Sequence, residues 1–266
     1  MLDPAEALAA AARPPSSMPV PSTARRVLVV GGAGPLGSAL VESLLGAHRF
    51  ERVAVAVQRR VNPALRGLVI VDDGDAAWQA FAPESALIVF DRERKANGRD
   101  DAFVRPQPEQ LLALATRLRA AGARQLIVAL PHAPAMLPQA LKAGLASLDE
   151  GAVADLGFDH VVFMRLAQAG MAAGADEASR PQRLADWMLR QLHWMVPSSE
   201  QPVRRETVAR VVARLLIELP AAPRGTRVLP PELLWHAAQA AELEPLVQRW
   251  LAGEALPSVR GTRQRW

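Results

Sequence analysis

Residues 27–37 read Val-Leu-Val-Val-Gly-Gly-Ala-Gly-Pro-Leu-Gly. Gly31, Gly34 and Gly37 stand three apart, while Gly32, Gly34 and Gly37 fit the tighter G-x-G-x-x-G spacing. Between a strand and a helix, glycines so spaced hold a pyrophosphate on backbone N–H groups at the positive end of the helix. Each has a separate task there: Gly31 turns the chain out of the strand, Gly34 lets the phosphates approach the backbone, and Gly37 lets the helix pack close to the sheet. The candidate contacts are therefore Gly31, Gly32, Ala33, Gly34, Pro35, Leu36 and Gly37.

Further candidates stand after other apolar runs. Gln58-Arg59-Arg60 stands where an NAD site of this type needs an acid for the ribose 2′-hydroxyl. Arg59 and Arg60 offer forked, charge-assisted hydrogen bonds to a 2′-phosphate instead, which predicts NADP over NAD. Asp72 and Asp73 follow the third run; Asp72 is the candidate for the adenine edge, with helix capping as the alternative use of such acids. Phe90-Asp91 closes the fourth and opens a charged loop through Asp101, expected near the nicotinamide end.

These residues need a scaffold, and the apolar pattern supplies one. Short β-branched runs at 27–30, 52–57, 68–71, 86–90, 125–130 and 160–165 alternate with helical stretches near 35–47, 76–81, 109–121 and 138–156. That alternation predicts a Rossmann-like α/β fold, a doubly wound parallel sheet with helices on both faces. In such a sheet a ligand lies beyond the carboxyl ends of the strands, where the strand order reverses. Helices are expected at 181–194, 205–219 and from about 231, with a short strand at 227–229. The expected organisation is an Ala/Pro-rich disordered leader over 1–24, one domain over 25–256 with a small helical lobe from about 167, and a loose basic tail over 257–266.

The chain has 266 residues, half of them apolar, and a net charge of +4. Cysteine is absent, which removes disulfides and thiolate chemistry and suits a cytoplasmic protein. No apolar run reaches the roughly 18 residues of a membrane helix, so no membrane is expected. Arginines are scattered among acids, without the basic stripe of a nucleic-acid site. The five histidines show no ligand spacing, and no metal site is expected.

The chain resembles the atypical short-chain dehydrogenase/reductases, in particular the nucleoside-diphosphate-sugar-epimerase-like and Tat-interacting-protein-like oxidoreductases. The resemblance covers about residues 26–235. It rests on Gly31 to Gly37, on Arg59-Arg60, on the passage Ala120 to Val128, on Lys142, and on Leu156-Gly157-Phe158 leading to Arg165. The segment Pro202-Val203-Arg204-Arg205-Glu206-Thr207-Val208-Ala209 is similar to a further family segment.

The resemblance implies a serine after the fifth strand and a Tyr-x-x-x-Lys on the next helix. The tyrosine would be the general acid/base, and the lysine would lower its pKa and hold the ribose. Here Leu130 or Pro131 stands in the serine's place, Lys142 matches the lysine, and Pro138 stands four residues before it. The whole sequence contains no tyrosine, so Tyr-dependent hydride transfer by this chain alone is excluded. His132 and Lys142 are the remaining catalytic candidates; Lys142 also serves as a ribose contact without any chemistry.

Three readings are open to such a chain. The first is an NADP(H)-binding regulatory protein whose standard centre is lost, acting with an unidentified small molecule or protein partner. The second is an active NADP-dependent oxidoreductase or epimerase-like enzyme with a non-standard acid/base such as His132, Asp91 or a water in place of the tyrosine. The third is a scaffold that binds no nucleotide.

Overall fold

The computed structural model describes residues 25–59, 61–62, 65–91, 100–132, 148–167 and 203–256. Seven strands form one parallel sheet: β1 (Arg26–Val30), β2 (Arg52–Val57), β3 (Leu68–Asp72), β4 (Ser85–Val89), β5 (Gln125–His132), β6 (His160–Ala167) and β7 (Gly225–Leu229). Their spatial order is β3-β2-β1-β4-β5-β6-β7. From β1 the chain builds outward to β2 and β3, then returns to lay β4 on the other side of β1. The order therefore reverses between β1 and β4, and the Rossmann-like expectation holds.

The central strands read as unbroken apolar runs because both their faces are covered. Side chains alternate across the sheet. Val27 and Val29 of β1 face one core with Val53, Val55, Leu87, Val89, Ile127 and Val162. Leu28 and Val30 face the other with Ala54, Ala56, Ala86, Ile88, Leu126 and Phe163.

The first core is closed by α1 (Pro35–Gly46), α5 (Arg205–Glu218), α6 (Pro231–Gln239) and α7 (Glu244–Leu251). The second is closed by α2 (Asp75–Phe81), α3 (Leu111–Ala120) and α4 (Leu148–Ala154). The stretch expected as one terminal helix from 231 is two helices, α6 and α7, separated by extended backbone at Ala240 and restarted with Pro245 in the first turn of α7. The long helix expected over 138–156 is described only as α4, because 133–147 lie outside the described residues. The helix expected at 181–194 also lies outside them.

The strand ends are staggered. β4 stops at Val89, opposite Ala129, while β5 and β6 pair onward through Leu130–Arg165, Pro131–Leu166 and His132–Ala167. Pro131 is tolerated because its missing N–H falls beyond the end of β4. At the opposite end, Arg25 ties the sheet to α5, its Nη1 donating to the Leu216 and Ile217 carbonyls at 3.0 and 2.8 Å. A cation there meets the negative end of the helix.

Candidate functional site

The glycine loop lies at the carboxyl end of β1, beside the end of β4, where the strand order reverses. Gly31 turns the chain with φ +97, a backbone that side-chain-bearing residues avoid. A methyl group built on it would also stand 3.1 Å from the Val89 carbonyl carbon. Gly37, in the first turn of α1, lies against the turn itself. A methyl there would be 2.8 Å from both the Cα and the carbonyl carbon of Gly32, and nearer still to the Gly31 oxygen. These two contacts set α1 directly on the end of β1, with Leu40, Val41 and Leu44 buried beneath it.

The start of α1 has no capping side chain. Gly34 is the N-cap, Pro35 follows it, and no acid lies in the first turn. A helix start leaves N–H donors and a partial positive charge in need of an anion. Asp91 supplies one from the end of β4: the Leu36 N–H donates to Asp91 Oδ2 at 2.8 Å. The carboxyl group rests on the bare Cα of Gly34, where a methyl would lie 2.6 Å from Asp91 Cγ. Gly34, Leu36 and Asp91 thus form one cluster. Sequence reasoning named Asp91 by its position after β4 and as a candidate substitute for the missing acid/base, not as a partner of α1. The signal it lacked was an uncapped helix start beside an acid across the strand reversal.

At the end of β2, Arg59 is exposed. Arg60 lies outside the described residues. The segment 102–104 returns across this end. The Ala102 carbonyl accepts from the Gln58 and Arg59 N–H groups at 2.7 and 3.2 Å, and the Val104 N–H donates to the Ala56 carbonyl at 3.1 Å. Val57 and Phe103 form an antiparallel bridge there.

The two acids after β3 have different surroundings. Asp72 ends the strand, opposite Val57, and is exposed. Asp73 is held by Arg117 of α3, which donates to Asp73 at 2.9 Å and to Asp75 at 2.6 Å. The same guanidinium lies 4.1 Å from the ring centroid of buried Trp78. Burial works against the charge on Arg117, but its bonds to Asp75 and Asp73 together raise its pKa above the ordinary arginine value. Asp73 is thereby committed to α3, which leaves Asp72 as the acid at the strand end.

At the far side of the carboxyl edge, β5 carries Leu130, Pro131 and His132 past the end of β4. Leu130 is half-buried and packs on the second core. Lys142 lies outside the described residues, as does Pro138. Near this edge, Arg165 of β6 pairs with Glu150 of α4 at 2.8 Å, with only 7 and 5 % of the two side chains exposed. Sequence reasoning reached Arg165 through the strand pattern and had no signal for Glu150. Among the described residues no group of three His, Asp or Glu is placed to hold a metal ion. No described helix is long and apolar enough to cross a membrane.

No family model matches the chain, and no curated protein matches it. Solved structures similar to it include a Rossmann-fold NAD(P)-binding family protein from Shigella flexneri, with 14 % identity over 77 % of this chain and 92 % of that one and a TM-score of 0.44. A wide-type short-chain dehydrogenase/reductase from Veillonella parvula, in complex with NADP, has 13 % identity over 77 and 94 % of the two chains, with a TM-score of 0.44. UDP-glucose 4-epimerase from Brucella ovis, in complex with NAD, has 15 % identity over 85 and 81 %, with a TM-score of 0.45.

Proposed function

We propose that this chain binds a nicotinamide dinucleotide, NADP(H), on the Gly31–Gly37 loop, and that it does so as a cofactor-binding or regulatory protein. One observation carries the reading. A glycine turn with φ +97 at Gly31, and a helix packed onto that turn through Gly37, stand where the strand order reverses. That combination suits phosphates approaching a bare backbone at a helix start.

The residues present fit such a group in kind. Gly31, Gly32, Ala33, Gly34, Pro35, Leu36 and Gly37 would hold the pyrophosphate, exposed Asp72 would take the adenine edge, and Arg59 with Arg60 would take a 2′-phosphate. Lys142 would hold the ribose hydroxyls. When bound, the nicotinamide would supply a hydride donor or acceptor. This chain has no tyrosine to pass the accompanying proton, which supports a binding role over Tyr-dependent turnover.

Titration with NADPH, followed by its fluorescence, tests the binding. Saturable quenching or a blue shift is expected, with NADP competing better than NAD. Arg59→Ala should weaken NADP by about tenfold, the value of one lost charge-assisted contact, and leave NAD unchanged. Equal loss for both dinucleotides would remove Arg59 from the 2′-phosphate.

One observation favours a second reading, an active NADP-dependent oxidoreductase or epimerase-like enzyme. β5 extends past β4 and ends on His132, a residue capable of acid/base chemistry near neutral pH. Turnover of NADPH against a carbonyl panel, abolished by His132→Ala, would replace the binding role with this one.

A further inference from the structure

We infer that Asp91 is an internal competitor for the phosphate position of the glycine loop, so that a dinucleotide enters only as this carboxylate leaves. The inference rests on the proposed dinucleotide site and concerns how that site is held in the protein itself.

The helix start at Gly34 has an anion's worth of attraction and no side chain of its own to satisfy it. Asp91, 55 residues further along the chain than Leu36, brings the charge from the neighbouring strand end. Its Oδ2 takes the Leu36 N–H, and its Cγ and Cβ would stand 2.6 and 2.7 Å from a methyl on Gly34. The open face of Gly34 is the surface a pyrophosphate would approach. Here a carboxylate covers it. A phosphate cannot share that donor with a carboxylate, because two anions in contact repel and one N–H serves one of them well.

Residues 102–104 lie at the other end of the proposed groove, fastened to β2 through the Ala102 carbonyl, which accepts from Gln58 and Arg59, and through the Val57–Phe103 bridge. Asp91 thus meets the phosphate loop, while Ala102 meets Arg59, one of the residues that would take the 2′-phosphate. Entry of the dinucleotide and release of Asp91 from α1 become one equilibrium, and the cost of breaking the Asp91 contact is subtracted from cofactor affinity.

The test compares the full-length wild type, Asp91→Ala and Asp91→Asn. Each is titrated with NADPH by fluorescence, and each is melted without ligand. Asp91→Ala should bind NADPH about tenfold tighter or more than wild type, the size expected for removing one charge-assisted contact and one like charge. Asp91→Asn, isosteric but neutral, should lie between them. Both variants should melt lower than wild type, because α1 loses its anion. If Asp91→Ala melts lower but binds with unchanged affinity, Asp91 is a helix cap only and the inference fails, while the dinucleotide reading stands. Weaker binding by Asp91→Ala would make Asp91 a cofactor contact and also overturn the inference. If none of the three saturates, the dinucleotide reading fails with it. Asp91→Asn guards against a folding failure of the alanine variant.

Discussion

Gly37→Ala should destabilise the protein, although alanine is the better helix former. The added methyl would lie 2.8 Å from the Cα and carbonyl carbon of Gly32 and closer to the Gly31 oxygen. All three atoms are backbone, and the turn that carries them is itself pressed against the Val89 carbonyl. Neither side has a flexible side chain to move. α1 must lift from the sheet by roughly half an ångström or more to restore ordinary contact, which loosens buried Leu40, Val41 and Leu44. Overpacking of this kind costs about 1–3 kcal/mol, and rigid backbone on both sides puts this case near 3. The gain in helix propensity returns about 1 kcal/mol, leaving a net loss of about 2. Gly46→Ala is the matched control. It lies in the same helix, and among the described residues no atom beyond its chain neighbours and that helix's own backbone comes within 4 Å of an added methyl, so it should gain up to about 1 kcal/mol. Urea unfolding followed by far-UV circular dichroism reads both variants, with m unchanged and only the midpoint moving. In a thermal scan a net 2 kcal/mol is about 4–8 °C for a domain of this size. A Gly37→Ala midpoint at or above wild type would refute the packing of α1 on the glycine turn.

The buried pair Arg165 and Glu150 predicts a non-additive cycle. Glu150→Leu should cost about 3–5 kcal/mol by leaving a buried guanidinium without its carboxylate, while Glu150→Leu with Arg165→Met should cost much less. Equal losses in the single and double variants, by urea unfolding, would contradict the pairing. His160 is 3 % exposed, and among the described residues its Nδ1 has no hydrogen-bond partner. Burial first, then the nearby Arg227, lowers its pKa below the ordinary histidine value, against a smaller opposing pull from Asp159. The folded state therefore binds this proton less readily than the unfolded one. The stability it confers is complete above the unfolded pKa, about 6.5, and is lost as pH falls towards the folded value. Melting temperature should drop between pH 7 and pH 5, and His160→Gln should flatten that drop; an unchanged slope would remove His160 as its source.

Much of the fold was legible because local pattern and tertiary role agree at β1 and α1. A strand buried on both faces must be apolar throughout, and a chain that turns at Gly31 and packs at Gly37 must carry glycine there. Parallel strands separated by helices follow from the same runs. Strand ends were less legible. β5 and β6 run two residues past their expected ends because they pair with each other beyond β4, a fact about neighbours rather than composition. The break between α6 and α7 was hidden because apolar positions continue through both, and Pro245 was the one local cue.

The site divides in the same way. The glycine loop is contiguous in sequence and was visible there. The Asp91 contact joins residues 55 positions apart, and the Ala102 contact reaches back to Gln58 and Arg59 across two intervening strands. Nothing periodic links such pairs. The difference between Asp72 and Asp73 was likewise invisible, since it depends on Arg117 arriving from α3.

The central claim is that the glycine loop is a dinucleotide site, and NADPH titration of the full chain with and without Gly34→Trp tests it most directly. The indole would displace the Asp91 carboxylate and fill the face of Gly34 that the phosphates would approach, and far-UV circular dichroism checks that the fold is kept. Saturable one-to-one binding is expected from the parent chain and none from the folded Gly34→Trp variant. Equal affinity in the two proteins, or no saturation by the parent chain and by Asp91→Ala alike, would contradict the claim.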